Sequence, residues 1–152
     1  MKKDEIALQK ALESHNFLNE IDLTTNIILK GHLLVEESLY ELLSQTVLDT
    51  QSLEDANLRF IQLTYIAKSL IQLENPKNLW ACIVKLNQIR NKVAHNIDKE
   101  KLNQMIIDFS LLNQDSKAAR KAYDMNDEIG MMKIGLAYIL GTLEGITFSA
   151  KP

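Results

Sequence analysis

The chain has 152 residues, 46% of them hydrophobic and 24% charged, which is enough for one domain with a packed core and too few for two. A formal net charge of -3 at pH 7 excludes a protein that coats nucleic acid through bulk positive charge, so any such contact has to be local. The single cysteine, Cys82, excludes an internal disulfide and a cysteine-based zinc site, which fits a reducing, cytoplasmic setting.

Apolar residues recur at helical period nearly throughout, and no stretch alternates strictly as a strand would. The opening "MKKDEIALQKALESHNFLNEID" carries an early basic pair, but charges interrupt it before the apolar core of a signal peptide can form, so export is not expected. Its apolar spacing predicts a short amphipathic helix from Asp4 to Leu18. A second helix is expected from Asp22, a suitable N-cap, to about Leu48, and a third from about Leu53 to Leu73. Pro76 suits the first turn of a fourth, which continues through Trp80 and Arg90 to about His95. A fifth begins near Asp98 in "NIDKEKLNQMIIDFSLLNQD". "DSKAARKAYDMND" is the most polar stretch of the second half, and the last helix is expected from about Asn126 to Phe148. The longest apolar run, Ile134 to Leu143, is bounded by Lys133 and Glu144 and falls short of the roughly 20 residues that cross a bilayer, so it reads as a buried helix with no membrane role. The expectation is an all-α, single-domain antiparallel bundle of about five to six helices spanning residues 1–152, without repeats or low-complexity linkers.

Two small residue types add detail. Cys82 lies among Leu79, Ile83 and Leu86 and reads as a small buried hydrophobe. Gly130, Gly135, Gly141 and Gly145 all fall in the last expected helix, where each costs about 1 kcal/mol relative to alanine. Gly141 and Gly145 stand one turn apart, and close packing of a neighbouring helix within the monomer is the favoured compensation over a dimer seam. Gly31 interrupts the second helix.

The informative stretch is "LNQIRNKVAHN", residues Leu86 to Asn96. At about 100° per residue, Leu79, Ile83, Leu86, Arg90 and Val93 form one stripe, which puts an arginine on an apolar face. A guanidinium cannot shed its charge, so that position demands a carboxylate, a phosphate or a water-filled cleft. Glu36 and Glu37, beside the stripe of Ile28, His32, Val35, Leu39 and Leu42, are the nearest carboxylates by type, and an Arg90 to Glu36 ion pair clamping two helices is the structural reading. His95, taken alone, reads as a cation that favours a helix C-terminus. His32 reads first as a satisfied core residue, with a supporting role in a site as the alternative, and His15 as a surface residue.

Together, Arg90, Asn91 and His95 spell R-N-x-x-x-H at the end of a helix, which resembles the HEPN superfamily over the second to fifth expected helices, about residues 22–112. The resemblance implies one of two functions. Many HEPN proteins are metal-independent endoribonucleases of toxin and defence systems that bring two motifs into one cleft as homodimers. Others, similar to the mannitol operon repressor family, are regulatory or interaction modules. The residues after the histidine are Asn96 and Ile97, not the tyrosine two positions on that marks one HEPN toxin group.

Cleavage of RNA by its own 2′-hydroxyl needs a base, an acid and cationic donors for the phosphorane charge, which histidines and an arginine fork provide. In the ribonuclease reading Arg90 binds phosphate, Asn91 orients it or holds His95, and His95 moves the proton. From Lys85 to Lys101 there are five basic residues (Lys85, Arg90, Lys92, Lys99, Lys101) against two acidic ones (Asp98, Glu100), a local excess of 5 − 2 = 3 that permits RNA. The residues expected in a site are thus Arg90, Asn91 and His95, supported by Glu36, Glu37 and His32. No histidine or carboxylate spacing fits a metal, and no glycine-rich loop fits a nucleotide cofactor, so none is expected. A face of Trp80, Val84 and Asn91 that one monomer leaves uncovered predicts a homodimer. RNA and an antitoxin or regulatory protein are the other expected partners.

Overall fold

A computed structural model describes residues 6–10, 22–71, 78–95 and 97–149, and among these the regular structure is all helical. Residues 6–10 are helical and exposed; the rest of the helix expected from Asp4 to Leu18, together with His15, Pro76 and Asn96, lies outside the described residues. From Leu23 onward the helices are α1 (Leu23–Ser44), α2 (Thr50–Asp55), α3 (Phe60–Leu70), α4 (Leu79–Val93), α5 (Lys99–Leu111), α6 (Lys117–Asp124) and α7 (Glu128–Ser149).

Local chemistry sets most of these ends. Asp22 caps α1 by accepting from Thr25 N at 2.7 Å, and Asp98 caps α5 by accepting from Lys101 N at 2.9 Å, both at the expected starts. Helix α1 stops at Ser44 rather than Leu48, because Thr46 N bonds back to Leu43 O at 2.9 Å and Asp49 then caps a new helix, accepting from Gln51 N and Ser52 N. The single helix expected from Leu53 to Leu73 is instead two, α2 and α3. Asn57 takes a left-handed φ of 46°, which asparagine tolerates and a continuing helix does not. The polar stretch after Asp115 is also a helix, α6, capped by Ser116 accepting from Ala119 N at 3.0 Å. Its buried positions are Ala119 and Ala122, so it docks on α7 through a face too small to register as apolar. The split and this added helix take the number above the five or six expected.

One buried cluster draws residues from all seven helices, including Ile28, Leu39, Leu53, Phe60, Ile83, Leu86, Ile106, Phe109, Ala122, Ile139 and Leu143. Helix α1 packs on α3, α4 and, most extensively, α7, while α4 also meets α3, α5 and α7. Among the described residues α7 alone is long and apolar enough to cross a membrane, at 22 residues with hydropathy 1.3; here Met131, Met132, Leu136, Ile139 and Leu143 face inward and are buried.

The glycines divide by what surrounds them. A side chain at Gly135 meets the Phe109 ring of α5, and one at Gly31 meets Leu136 of α7, so these two positions admit large neighbours. Around Gly141 and Gly145 no atom of the described residues lies within 4 Å of an added Cβ, so no described helix is seated on them as the sequence leads one to expect. Cys82 is fully buried as expected, and burial pushes its thiol up to about 11. Since the thiolate is the reactive form, Cys82 should resist a thiol reagent in the folded protein and react at once in denaturant. Rapid labelling under native conditions would contradict this burial.

Candidate functional site

Three helices diverge to leave an open cleft of about 660 Å3. Helix α1 contributes Leu29, His32, Leu33 and Glu36, spaced i, i+3, i+4 and i+7 so that they share one face. The start of α3 contributes Arg59, Phe60 and Ile61, and α4 contributes Asn87, Arg90 and Asn91.

His32 forms the floor. It is 8% exposed, its ring stacks on Phe60 with centroids 3.9 Å apart, and its Nε2 lies 3.1 Å from Asn87 Oδ1. With the amide oxygen accepting, Nε2 carries the proton and Nδ1 keeps the lone pair. Burial, the largest influence, holds His32 below the ordinary histidine range of 6.5; the Asn87 bond opposes it, Arg90 adds to it, and Glu36 opposes it. His32 is therefore both a packed core residue and one wall of a cleft.

A pH dependence follows. Neutral His32 is common to the folded and unfolded chains above pH 6.5, so its stabilising contribution is complete there. Below 6.5 the unfolded chain takes up a proton before the folded one does, and stability falls until the pH passes the lower folded value. Denaturant melts of wild type should weaken over that interval, and His32→Gln should flatten the loss. An unchanged slope in the variant would assign the effect to other groups.

Of the three surroundings that its position allows, Arg90 has the open cleft and not the carboxylate. It is exposed, whereas Ile89 beside it is fully buried, so the guanidinium is not enclosed by the core stripe. Among the described residues it makes no ion pair with Glu36 or Glu37; its contact is a long hydrogen bond from Nη1 to Asn91 Oδ1 at 3.4 Å. The interhelical clamp is absent. Glu36 is half-buried in the cleft, while Glu37 is exposed and does not line it.

His95 lies in the turn after α4, its N–H donating to Lys92 O at 3.0 Å. Its side chain is exposed and lines a different cleft of about 480 Å3, with Lys92, Ile97, Lys101, Gln104 and Met105. The motif is thus divided within one chain, with Arg90 and Asn91 on the His32 cleft and His95 on its neighbour. The local basic excess is also reduced from outside the stretch, because Lys85 pairs with Asp108 at 3.2 Å; the pair of Lys101 with Asp98 at 3.4 Å lies within the count. The face expected of Trp80, Val84 and Asn91 does not exist as such. Trp80 is 8% exposed and shares a cleft with Val84 and Tyr65, while Asn91 opens on the His32 side.

Arg59 also lines the cleft, a place that a single helix from Leu53 to Leu73 does not reveal. It is the N-cap residue of α3, a place usually held by Ser, Thr, Asp or Asn. A guanidinium has only donors and cannot cap; instead the Gln62 side chain, at the third helical position, accepts from the Arg59 backbone N–H at 2.8 Å. Among the described residues no group of three or more histidine, cysteine or acidic side chains is arranged to hold a metal ion. Comparison with family models, curated proteins and solved structures finds no match to this chain.

Proposed function

We propose that the chain is a HEPN-like antiparallel helical bundle that acts as a homodimeric, metal-independent endoribonuclease, with Arg90, Asn91 and His95 in its site. The observation that carries this reading is the state of Arg90: exposed, in an open cleft, and without a carboxylate partner among the described residues. A planar fork left free in this way suits a phosphodiester. It also removes the structural clamp that would have explained Arg90 in a non-catalytic protein.

In the proposed reaction a base takes the proton of the 2′-hydroxyl, the 2′-oxygen attacks phosphorus, and the 5′-oxygen leaves with a proton from an acid. Arg90 balances the charge of the phosphorane, Asn91 orients the phosphate, and His95 serves as base or acid, its counterpart coming from a second copy. Because Arg90 and His95 open on different clefts of one chain, a composite site between two copies is the arrangement that joins them.

The same division favours a second reading, an interaction module similar to the mannitol operon repressor family, regulated by a protein partner. Incubation with single-stranded RNA and a metal chelator separates the two. The nuclease leaves 2′,3′-cyclic phosphate ends and scatters light as a particle of about twice the 17.3 kDa chain mass. A folded monomer that cuts nothing, and that does not slow growth on expression, is the interaction module.

A further inference from the structure

We infer that the groove between α1 and α7, on the far side of α1 from the His32 cleft, seats the N-terminal segment of the same chain as a helix running antiparallel to α1. The inference stands apart from the cleavage reading, since none of its residues lines either motif cleft.

Apolar surface continues along this groove. Gly31 of α1 lies against Leu136 of α7, and Ser38 and Glu41 share a cleft with Leu140, Glu144 and Phe148, so the two helices run in the same direction. At about 100° per residue Leu23, Ile27 and Leu34 form one stripe of α1 beside Gly31, and Leu34 stands about 160° from His32. Ala137, one turn before Leu140, continues the border on α7. Leu23, Leu34 and Phe148 are 57%, 48% and 76% exposed, and Ala137 is exposed as well. A contiguous apolar face of this kind marks a docking surface.

The N-terminal segment fits the face by length, pattern and charge. The helix expected from Asp4 to Leu18 is about 22 Å long, and only Asn19 to Asp22 separate it from the start of α1, a connection that folds two helices back on each other. Folded back, it spans α1 from Leu23 to about Ser38, the length of the groove. Residues 6–10 are helical, with Ile6 and Leu8 57% and 62% exposed, and by spacing Leu8 shares a face with Ala7, Ala11, Leu12 and Leu18. In this arrangement Leu8 comes level with Leu34. Lys2 and Lys3 come level with Glu41 and Glu144, the two carboxylates at that end of the groove, and Glu13 comes level with Lys30 and Lys133. None of these four groove charges has an ion-pair partner among the described residues. Asp4 and Glu5 meet the positive end of the segment's own helix. A segment lying the other way round would carry Lys2 and Lys3 to the opposite end, so charge selects the antiparallel direction.

Hydrogen exchange of the full chain reads the seating. A helix of this length is marginal in water on its own, so slowing of the Ala7 to Leu12 amides by about tenfold or more relative to an unstructured chain requires that it be docked. Leu34→Lys alters a half-buried position that the fold itself tolerates, and it should speed those amides roughly tenfold while the α4 amides stay protected. Glu41→Lys with Glu144→Lys should speed them roughly 2- to 5-fold, the range for exposed ion pairs, as should Lys2→Glu with Lys3→Glu. All four together should restore the protection, a rescue that no folding defect imitates. Leu8→Cys with Leu34→Cys should close a disulfide within one chain on mild oxidation, with the buried Cys82 taking no part. Unslowed exchange in the wild type, or slowing that Leu34→Lys leaves unchanged, overturns the proposal. A disulfide found only between chains also overturns it, and identifies the segment of a second copy as the occupant. Because the seat and the His32 cleft lie on opposite sides of α1, any of these failures leaves the cleavage reading standing.

Discussion

His95→Ala should lower the rate of RNA cleavage by about 100- to 10,000-fold, the span ordinarily lost with a general acid or base, while leaving the thermal midpoint in place. The two halves of that result have separate causes. The rate falls because His95 is the one imidazole among the described residues lining its cleft, where its companions are Lys92, Ile97, Lys101, Gln104 and Met105. Stability holds because His95 is exposed and its backbone bond to Lys92 O survives in alanine, and substitutions at such positions usually stay within about 0.5 kcal/mol. Mixing Arg90→Ala and His95→Ala chains then tests the composite site, since a heterodimer restores one intact pair and part of the activity. Cleavage that persists undiminished in His95→Ala belongs to another nuclease or another residue. No rescue in a demonstrated heterodimer would mean either that Arg90 and His95 do not meet across two copies or that the reaction needs His95 from both.

The second large effect concerns stability and changes sign along one helix. Gly135→Leu should destabilise by about 3 kcal/mol, the upper part of the usual range for overpacking, because the new side chain falls on the Phe109 ring and Phe109 is 1% exposed with nowhere to turn. Gly141→Ala and Gly145→Ala should each stabilise by up to about 1 kcal/mol, since alanine restricts the unfolded backbone and meets no atom of the described residues within 4 Å. Thermal melts at low micromolar concentration read both, at roughly 2–4 °C per kcal/mol for a chain of this size. A fall in midpoint for Gly141→Ala or Gly145→Ala, steeper at higher concentration, would mean that another copy packs against that side of α7. A stable Gly135→Leu protein would mean that α5 and α7 are further apart there than the structure has them.

Much of the helical framework follows from local rules alone. The apolar period requires only that each segment turn one side inward, and the caps Asp22 and Asp98 start helices with hydrogen bonds to residues three positions on. Cys82 among Leu79, Ile83 and Leu86 is buried for the same reason, being on the inward side of α4 wherever that helix packs. Local rules failed where the deciding partner is remote or where one residue breaks a run. Asn57 takes a left-handed turn and splits one apolar run into α2 and α3, and Ala119 and Ala122 hold α6 against α7 with almost no hydrophobic signal.

The candidate site shows the boundary between the two most clearly. At about 100° per residue Arg90 stands about 20° from Leu79, so its direction toward α1 follows from spacing. Whether that direction ends in a core, a salt bridge or open water depends on how α1, α3 and α4 diverge, a property of packed helices to which no single segment holds the key. Here they separate enough to leave the cleft that Arg90 shares with His32, Glu36 and Arg59. His95, five residues along, has passed the end of α4 and opens on the space beside α5 instead. Residue types and their spacing along the chain are local and can be read in order; the spaces between helices, and which side chains share them, arise only when distant segments meet.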